Sequence, residues 1–311
     1  MKAVQITKYG QDVLEIVDFP RPTAGEGEVL IEVHAASVNP IDWKLADGGL
    51  RMIVPVKFPA VLGFDVSGRV IESNGSRFKE GDLVFARSGK GAGGTYAEYC
   101  VVAEEHCAPR PGVLSHEEAA AIPLAALTAL QALRDKGNMQ PGHDVLVNGA
   151  SGGVGIFGVQ IAKALGGTVT GVCGTNNTEL VREMGADHII DYKQAPPLET
   201  DREYDIIFDA VANLSWGAAK KRLKKNGVYI TTVPTGSTMA GLVFSAILPG
   251  KKARFIAVKS NGRDLEFLSD LARDNKLKVV IDETFSLDQI KEAHARSRSG
   301  RARGKIVIKV R

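Results

Sequence analysis

Over the first hundred residues apolar positions come in short alternating runs broken by Gly, Pro, Asn and Asp. This pattern predicts strands over 1–6, 29–35 and 66–71, and a turn at Phe78-Lys79-Glu80-Gly81-Asp82 entering a further strand. From His116 the period lengthens, so that 117–121 and 124–134 read as helices separated by Pro123. Strands then alternate with helices: strands over 144–149, 168–173, 188–191, 204–210, 227–233 and 254–258, helices over 153–165, 178–184 and 214–224. Such alternation predicts a doubly wound parallel sheet. From about Asp264 the alternation stops. An amphipathic helix, a strand over 278–281, a short helix from Leu287 and a final strand over 305–310 predict a return to the first domain. The expected organisation is a mostly-β domain from 1–121 with 262–311, carrying an α/β domain, 122–261, as an insertion.

The junction of the first strand and first helix of that α/β domain holds the clearest chemistry. Residues 145–158 read VLVNGASGGVGIFG. Gly152, Gly153 and Gly155 stand where a strand must turn sharply, let backbone approach a pyrophosphate and pack helix on strand, while the helix N-terminus supplies donors. Ala150 occupies the first place of the usual G-x-G-x-x-G, so the pattern is imperfect, but its strand–turn–helix–strand context points to a dinucleotide. The next strand ends in Val172-Cys173-Gly174-Thr175-Asn176-Asn177 without the acid that receives a ribose 2′-OH in NAD sites, which leans towards NADP(H). Gly174-Thr175-Asn176 reads equally as a turn and helix cap.

Composition narrows the class. With 311 residues and 44% hydrophobic content the chain can bury a large core in two domains. The net charge of +3, without basic runs interleaved with aromatics, argues against nucleic acid. Cys100, Cys107 and Cys173 lack C-x-x-C spacing and suit a reducing compartment. The start reads as a strand rather than a targeting peptide, and the longest apolar stretch, 240–249, is too short to span a bilayer. A cytoplasmic location is expected, without an integral membrane segment.

Several stretches together carry a family resemblance: Ser37-Val38-Asn39-Pro40-Ile41-Asp42-Trp43-Lys44, the run 59–68 PAVLGFDVSG, the turn at 78–82, the run 120–125 AAIPLA, the glycine turn at 149–155, and Gly304-Lys305-Ile306-Val307. Along essentially its whole length the chain resembles medium-chain dehydrogenase/reductases of the zinc-independent quinone oxidoreductase branch, in particular enone and alkenal reductases related to chloroplast-envelope quinone oxidoreductase homologues. The resemblance implies a GroES-like mostly-β catalytic domain plus a Rossmann domain, NADPH as cofactor, and a homodimer formed through 254–258. Asn39 stands at the position of the first zinc-ligating Cys of the alcohol dehydrogenases, Phe64 at that of the His and Asp65 at the neighbouring acid. The 88–94 segment lacks the four-cysteine lobe of a structural zinc.

Without a metal to polarise an alcohol, the suited acceptor is already electron-poor: a small apolar conjugated carbonyl or a quinone, in a mostly apolar site with a few oriented polar groups. Asn39, Asp42 and Lys44 are the candidate catalytic residues, and Asn39 with Phe64 the candidate substrate-lining ones. Relatives use the lysine matching Lys44 near the cofactor; a solvated lysine is the plainer reading, as a turn or helix cap is for Asn39 and Asp42. For the cofactor the resemblance further carries over Thr128 near the nicotinamide ribose, and Ser151, Gly152, Gly153, Val154 and Gly155 around the pyrophosphate. It assigns Gly174, Thr175, Asn176, Asn177 and Tyr192 to the adenosine phosphate, Thr232, Phe255, Ile256 and Ala257 to the nicotinamide, and adds Gly300 and Arg301. Relatives often place Arg or Lys where this chain has Asn176 and Asn177, which weakens the expected NADP selectivity. Two other functions compete: a noncatalytic NADPH-binding protein, and an enoyl-thioester reductase.

Overall fold

The computed structural model describes residues 1–89, 91–247 and 249–311, and the side chains of all of these but Ser237 and Ile247. Lys90, within the 88–94 segment, and Leu248, within the apolar 240–249 stretch, lie outside the described residues. The chain divides into two compact units, 1–125 with 259–274 and 279–311, and 126–258 with 275–278.

In the first unit the alternating runs build a seven-stranded sheet. Its path runs Ile281–Ser286, Lys305–Lys309, Glu28–Val38, Asp65–Ser73, Leu83–Arg87 and Cys107–Pro109, and Tyr99–Ala103 pairs with Glu28–Val38 off this path. A smaller sheet joins Glu15–Asp18, Lys2–Ile6 and Ala60–Val61. The middle strands are buried on both faces, as over 35–38 and 65–68, so their sequences read as apolar runs more than as strict alternation. Val4, Ile6, Leu45, Leu62, Phe64, Tyr96, Ile290 and Ile306 form one apolar cluster beneath them. The carboxyl-terminal strand pairs antiparallel with Glu28–Val38, which ties the last residues of the chain into this unit.

The second unit is a six-stranded, wholly parallel sheet in the order His188–Asp191, Thr168–Cys173, Asp144–Asn148, Tyr204–Asp209, Leu223–Thr231, Lys252–Phe255. From the central strand Asp144–Asn148 the chain winds first one way and then the other. That reversal opens a crevice at the carboxyl ends of the strands, where ligands of open α/β sheets bind. The fold is thus a GroES-like domain joined to a Rossmann domain.

Several segments differ from the expected elements; the strand expected over 254–258 runs Lys252–Phe255, where it pairs with residues 228–231. The strand expected over 278–281 starts only at Ile281, because Gln160 clasps Lys278 within the second unit: its amide nitrogen donates to the Lys278 carbonyl at 3.0 Å and its oxygen accepts the Lys278 amide at 2.6 Å. The apolar segment after Thr235 is a helix, Gly236–Ile247. Its sequence GSTMAGLVFSAI carries no charge and no helical polarity, so the pattern had no period to reveal.

Candidate active site

Strand register brings three chain segments together in the first unit. Ser37 pairs with Asp65 on one side and with Val307 on the other, and Val38 pairs with Ile306, so Lys305 comes up beside Asn39. Ser37 Oγ and Asn39 Nδ2 each donate to Asp65 Oδ2 at 2.8 Å, and the Leu124 amide donates to Oδ1 at 2.8 Å. Lys305 Nζ donates to Asn39 Oδ1 at 2.6 Å and to the Val38 carbonyl at 3.3 Å, and stands 3.8 Å from Asp65 Oδ2. Both side chains are buried, and an ion pair so far from water is tolerable only where each ion has further hydrogen bonds, as here. Burial holds the Lys305 ammonium below the usual lysine range, against the pull of Asp65 and Asp42.

The same network starts the helix Pro40–Ala46. Asn39 is extended and its amide donates to Asp42 Oδ2 at 2.7 Å, so the acid three residues on reaches back over the helix start. Pro40 opens the helix without losing a needed N–H. Tyr96 Oη donates to the same Asp42 oxygen at 2.7 Å, while Asp42 Oδ1 is buried without a partner. Burial pushes the Asp42 carboxyl up to about 7, opposed by those two hydrogen bonds. Lys44, on the same helix, is half-buried with Nζ 5.4 Å from the centroid of the Trp43 ring. Trp43 Nε1 donates to Ser297 Oγ at 3.2 Å and Arg298 pairs with Asp47, which pins this helix to Ile290–Arg298. Phe64 is buried in the apolar cluster that holds Tyr96, with the Arg87 guanidinium 5.3 Å from its ring centroid. Asn39, Asp42 and Phe64 therefore lie in one interior region, with Lys44 on the helix they begin. Gly300 and Arg301 lie apart from it, exposed in the turn after Arg298.

In the second unit the glycine turn follows strand Asp144–Asn148 directly. Gly149 has φ +77°, and a Cβ there would stand 2.2 Å from Val211 Cγ2; one on Gly155 would stand 2.1 Å from the Gly149 carbonyl oxygen. Only glycine fits either place. The helix Gly155–Ala164 begins without a side-chain cap; the Ile156 amide donates to the Gly152 carbonyl at 2.9 Å, and the helix N-terminus points its positive end at the turn. Asn177 Nδ2 donates to Ser151 Oγ at 3.2 Å, and Asn177 Oδ1 is buried with no partner. Tyr192 Oη crowds Gly174, where a Cβ would come within 2.9 Å of it, and Asn176 is exposed. Ser151, Gly152, Gly153, Val154 and Gly155 thus gather with Gly174, Thr175, Asn176, Asn177 and Tyr192 at the carboxyl ends of three adjoining strands. A backbone cradle, an uncapped helix start and an orphaned amide oxygen fit the pyrophosphate and ribose of a dinucleotide.

Sequence reasoning missed two acids here. Asp191 ends the strand beside Thr168–Cys173, in register with Cys173, and accepts from Thr175 Oγ1 at 2.6 Å, from Gln194 at 3.1 Å and from the Lys193 amide at 2.9 Å. The hydrogen bond from Thr175 is the chief reason its carboxyl lies below the usual range. A search confined to the end of the second strand cannot see a residue of the third. Asp209 ends strand Tyr204–Asp209 and collects five donors: Asn148 Nδ2, the amides of Val211, Ala212 and Leu214, and Tyr229 Oη. This carboxylate shapes the loop over 210–214, including Ala212 at φ +61°. Thr232 donates its hydroxyl to the Ala210 carbonyl at 3.3 Å in the same region. Phe255 closes its strand 37% exposed, Ile256 is buried and Ala257 exposed. Thr128 is buried within helix Pro123–Gln131.

Among the described residues no group of three or more His, Cys, Asp or Glu side chains is disposed to hold a metal ion. The three cysteines are free and buried, and burial pushes Cys100 up to about 12 and Cys173 to about 11. A cavity of about 290 Å³ in the first unit, lined by Met1, Phe19, Pro22, Tyr99 and the 91–94 turn, contains none of the predicted site residues. No helix among the described residues is long and apolar enough to cross a membrane.

Comparison with known proteins gives this geometry its context. The family described as "Alcohol dehydrogenase GroES-like domain" matches residues 25–112, and that described as "Zinc-binding dehydrogenase" matches 184–308. The chloroplastic quinone-oxidoreductase QR1 of Triphysaria versicolor is 39% identical, covering 99% of this chain and 98% of its own. The mitochondrial NAD(P)H oxidoreductase RTN4IP1 of Bos taurus is 34% identical, covering 100% and 89%. Both names carry compartments other than the cytoplasm expected from the sequence. Among solved structures the quinone oxidoreductase from Coxiella burnetii superposes with a TM-score of 0.89 at 32% identity, covering 100% of this chain and 99% of that one. With likeness of this extent in sequence and in fold, the chain belongs to the medium-chain dehydrogenase/reductase superfamily, among its quinone oxidoreductase homologues, and is an oxidoreductase of a family that binds NAD(P)H.

Proposed function

We propose that this protein passes hydride from NADPH to the conjugated double bond of enones and alkenals, or to quinones, without zinc. The observation that carries the zinc-free part is the state of Asn39. Its amide oxygen lies 2.6 Å from the Lys305 ammonium, whose charge repels a cation there, and its amide nitrogen donates to Asp65, so the side chain is ill placed to hold a metal. Phe64 contributes a buried ring, and a zinc ion prefers thiolate, imidazole or carboxylate with one position open. The donor set does not fit a catalytic zinc.

NADPH, when bound, supplies the hydride. The residues that would hold it are Ser151, Gly152, Gly153, Val154 and Gly155 at the pyrophosphate, and Gly174, Thr175, Asn176, Asn177 and Tyr192 at the adenosine end. The preference for NADPH is supported by the stretch Gly174-Thr175-Asn176-Asn177, which holds no acid to receive a ribose 2′-OH; the neighbouring Asp191 is engaged by Thr175, Gln194 and the Lys193 amide. Asn39 and Asp42 act by position, since both are buried and they set the start of the helix that carries Lys44. Of the three candidate catalytic residues, Lys44 keeps a partly exposed head, suited to stand near a developing negative charge.

The test is to follow oxidation of NADPH and of NADH against an enone, an alkenal, a quinone and, with the oxidised cofactors, a simple alcohol. Turnover of the conjugated acceptors with NADPH, unchanged by chelator, is expected. Alcohol oxidation that depends on added zinc sinks the reading, and tight NADPH binding with no turnover moves it to a noncatalytic binding protein. In the same assay Asp191→Ala is expected to leave NADH binding unchanged and to tighten NADPH a few-fold by removing a like charge; a loss of NADH affinity instead means Asp191 reads the ribose.

A further inference from the structure

Arg87 closes the strand Leu83–Arg87, and antiparallel register sets it beside Asp65 of the strand Asp65–Ser73. Ser88, the next residue, donates its amide to the Phe64 carbonyl at 2.7 Å, which holds Arg87 close to the candidate substrate-lining ring. The guanidinium stands 5.3 Å from the centroid of that ring, and the residue is only 9% exposed. Nη1 donates to Ser260 Oγ at 2.7 Å, and Nε is buried without a partner. Among the described residues no carboxylate forms an ion pair with Arg87; Asp65 and Asp42 act on it only through space.

Neither acid is free to answer this cation. Asp65 accepts from Ser37, Asn39 and the Leu124 amide and lies beside Lys305. Burial pushes Asp42 up to about 7, so at neutral pH it carries only part of a charge. The interior region therefore sets two cations, Lys305 and Arg87, against one full negative charge and a fraction of another. Arginine does not shed its proton to escape burial, as a lysine can, and a buried ion without a counter-ion is costly. Lys305 has Asn39, the Val38 carbonyl and Asp65 about it, whereas Arg87 has one neutral hydroxyl. Such an ion beside the Phe64 ring is suited to an anion that a ligand brings. A carboxylate offers two coplanar oxygens to the guanidinium fork and passes through hydride transfer unchanged. The acceptor is the fitting carrier, because the residues gathered for the cofactor phosphates belong to the second unit, and Arg87, Phe64 and Ser260 to the first.

We propose that Arg87 is a specificity-determining residue that pairs with a carboxylate on the acceptor, so that among conjugated acceptors this protein selects those bearing an acid group. The proposal rests on the hydride transfer put forward above. The probes are acetylacrylate, an enone that carries a carboxylate, its methyl ester, and levulinate, its saturated analogue. With NADPH the wild type is expected to show a KM for the acid about tenfold or more below that for the ester, and Arg87→Gln to raise the KM for the acid about a hundredfold while kcat and the ester change little. Arg87→Lys, which keeps the charge without the fork, is expected to recover part of the loss. Equal KM values for acid and ester in the wild type overturn the proposal without recourse to any variant. A fall in kcat on both acceptors in Arg87→Gln overturns it by placing Arg87 at the reacting atoms or in the fold, and a loss of NADPH affinity does so by assigning Arg87 to the cofactor. If the wild type reduces no conjugated acceptor, the hydride-transfer reading fails by itself: levulinate that raises the melting temperature of the wild type and not of Arg87→Gln still upholds the carboxylate site, and no shift in either overturns it.

Discussion

The polar groups of the two units are arranged in opposite ways. In the first unit Ser37, Asn39, Asp65 and Lys305 are buried and spend their hydrogen bonds largely on one another, so the network is closed. In the second, the strand ends offer glycine backbone, an uncapped helix and the unpartnered Asn177 oxygen, so the constellation is open. A closed network stores its free energy in the fold and fixes a shape, whereas an open one withholds it for a ligand. The difference assigns positioning to the first set and binding to the second, even though the first contains the more conspicuous charges.

The sharpest way to break this comparison is to fill the open constellation. Gly155→Val puts a branched side chain against the Gly149 carbonyl, backbone that has no room to yield. Titration of NADPH fluorescence is expected to show affinity lower by about a hundredfold or more, equivalent to roughly 2.7 kcal/mol. Gly217→Ala, where nothing lies within 4 Å, is the control and leaves binding intact. Unchanged affinity in Gly155→Val means the turn is only a turn.

Of comparable size is the converse experiment in the closed network. Lys305→Met strips the buried cation from Asp65, and breaking a buried pair from one side costs about 3–5 kcal/mol. Urea unfolding should report a loss of that order, largely recovered when Asp65→Asn is added, while NADPH affinity of the folded variant stays as it was. If affinity falls with stability, the two sets are not separable in the way described.

How much of this could be read from the sequence follows the range of the interactions. The βα alternation and the glycine turn are local, and each is carried by a period or by residues a few places apart. The helix Gly236–Ile247 escaped because uniform apolarity has no period, and its glycines argue against a helix. Asp65 and Lys305 are far apart in the chain and meet only through strand register, which no window of sequence contains. Asp191 was hidden for a related reason: parallel pairing with Cys173 brings it to Thr175, although the chain reaches it only after a helix. Asn39 and Asp42 were visible as candidates, but their spacing alone does not distinguish a side chain facing substrate from one that holds a helix start.

A further expected effect is a pH dependence from Asp42. Its carboxyl titrates at about 7 in the folded protein against an ordinary value of 3.8, so between pH about 4 and 7 the folded state keeps a proton that the unfolded chain releases. Stability from this group is present in full below pH 4 and is lost as pH rises to 7. His116 and His294 act in the opposite sense, since burial lowers both to about 4 and stability rises with pH as the unfolded chain ceases to charge its imidazoles. The wild-type profile therefore mixes two slopes of opposite sign, and only a difference isolates Asp42. Asp42→Asn keeps an acceptor for Tyr96 and the Asn39 amide without a titrating proton. In urea midpoints taken from pH 4 to 7 the variant is expected to gain steadily on the wild type and to show the rising limb of the histidines uncovered. A difference that stays constant across that range means Asp42 is ionised throughout, and the closed network then holds two negative charges against one lysine.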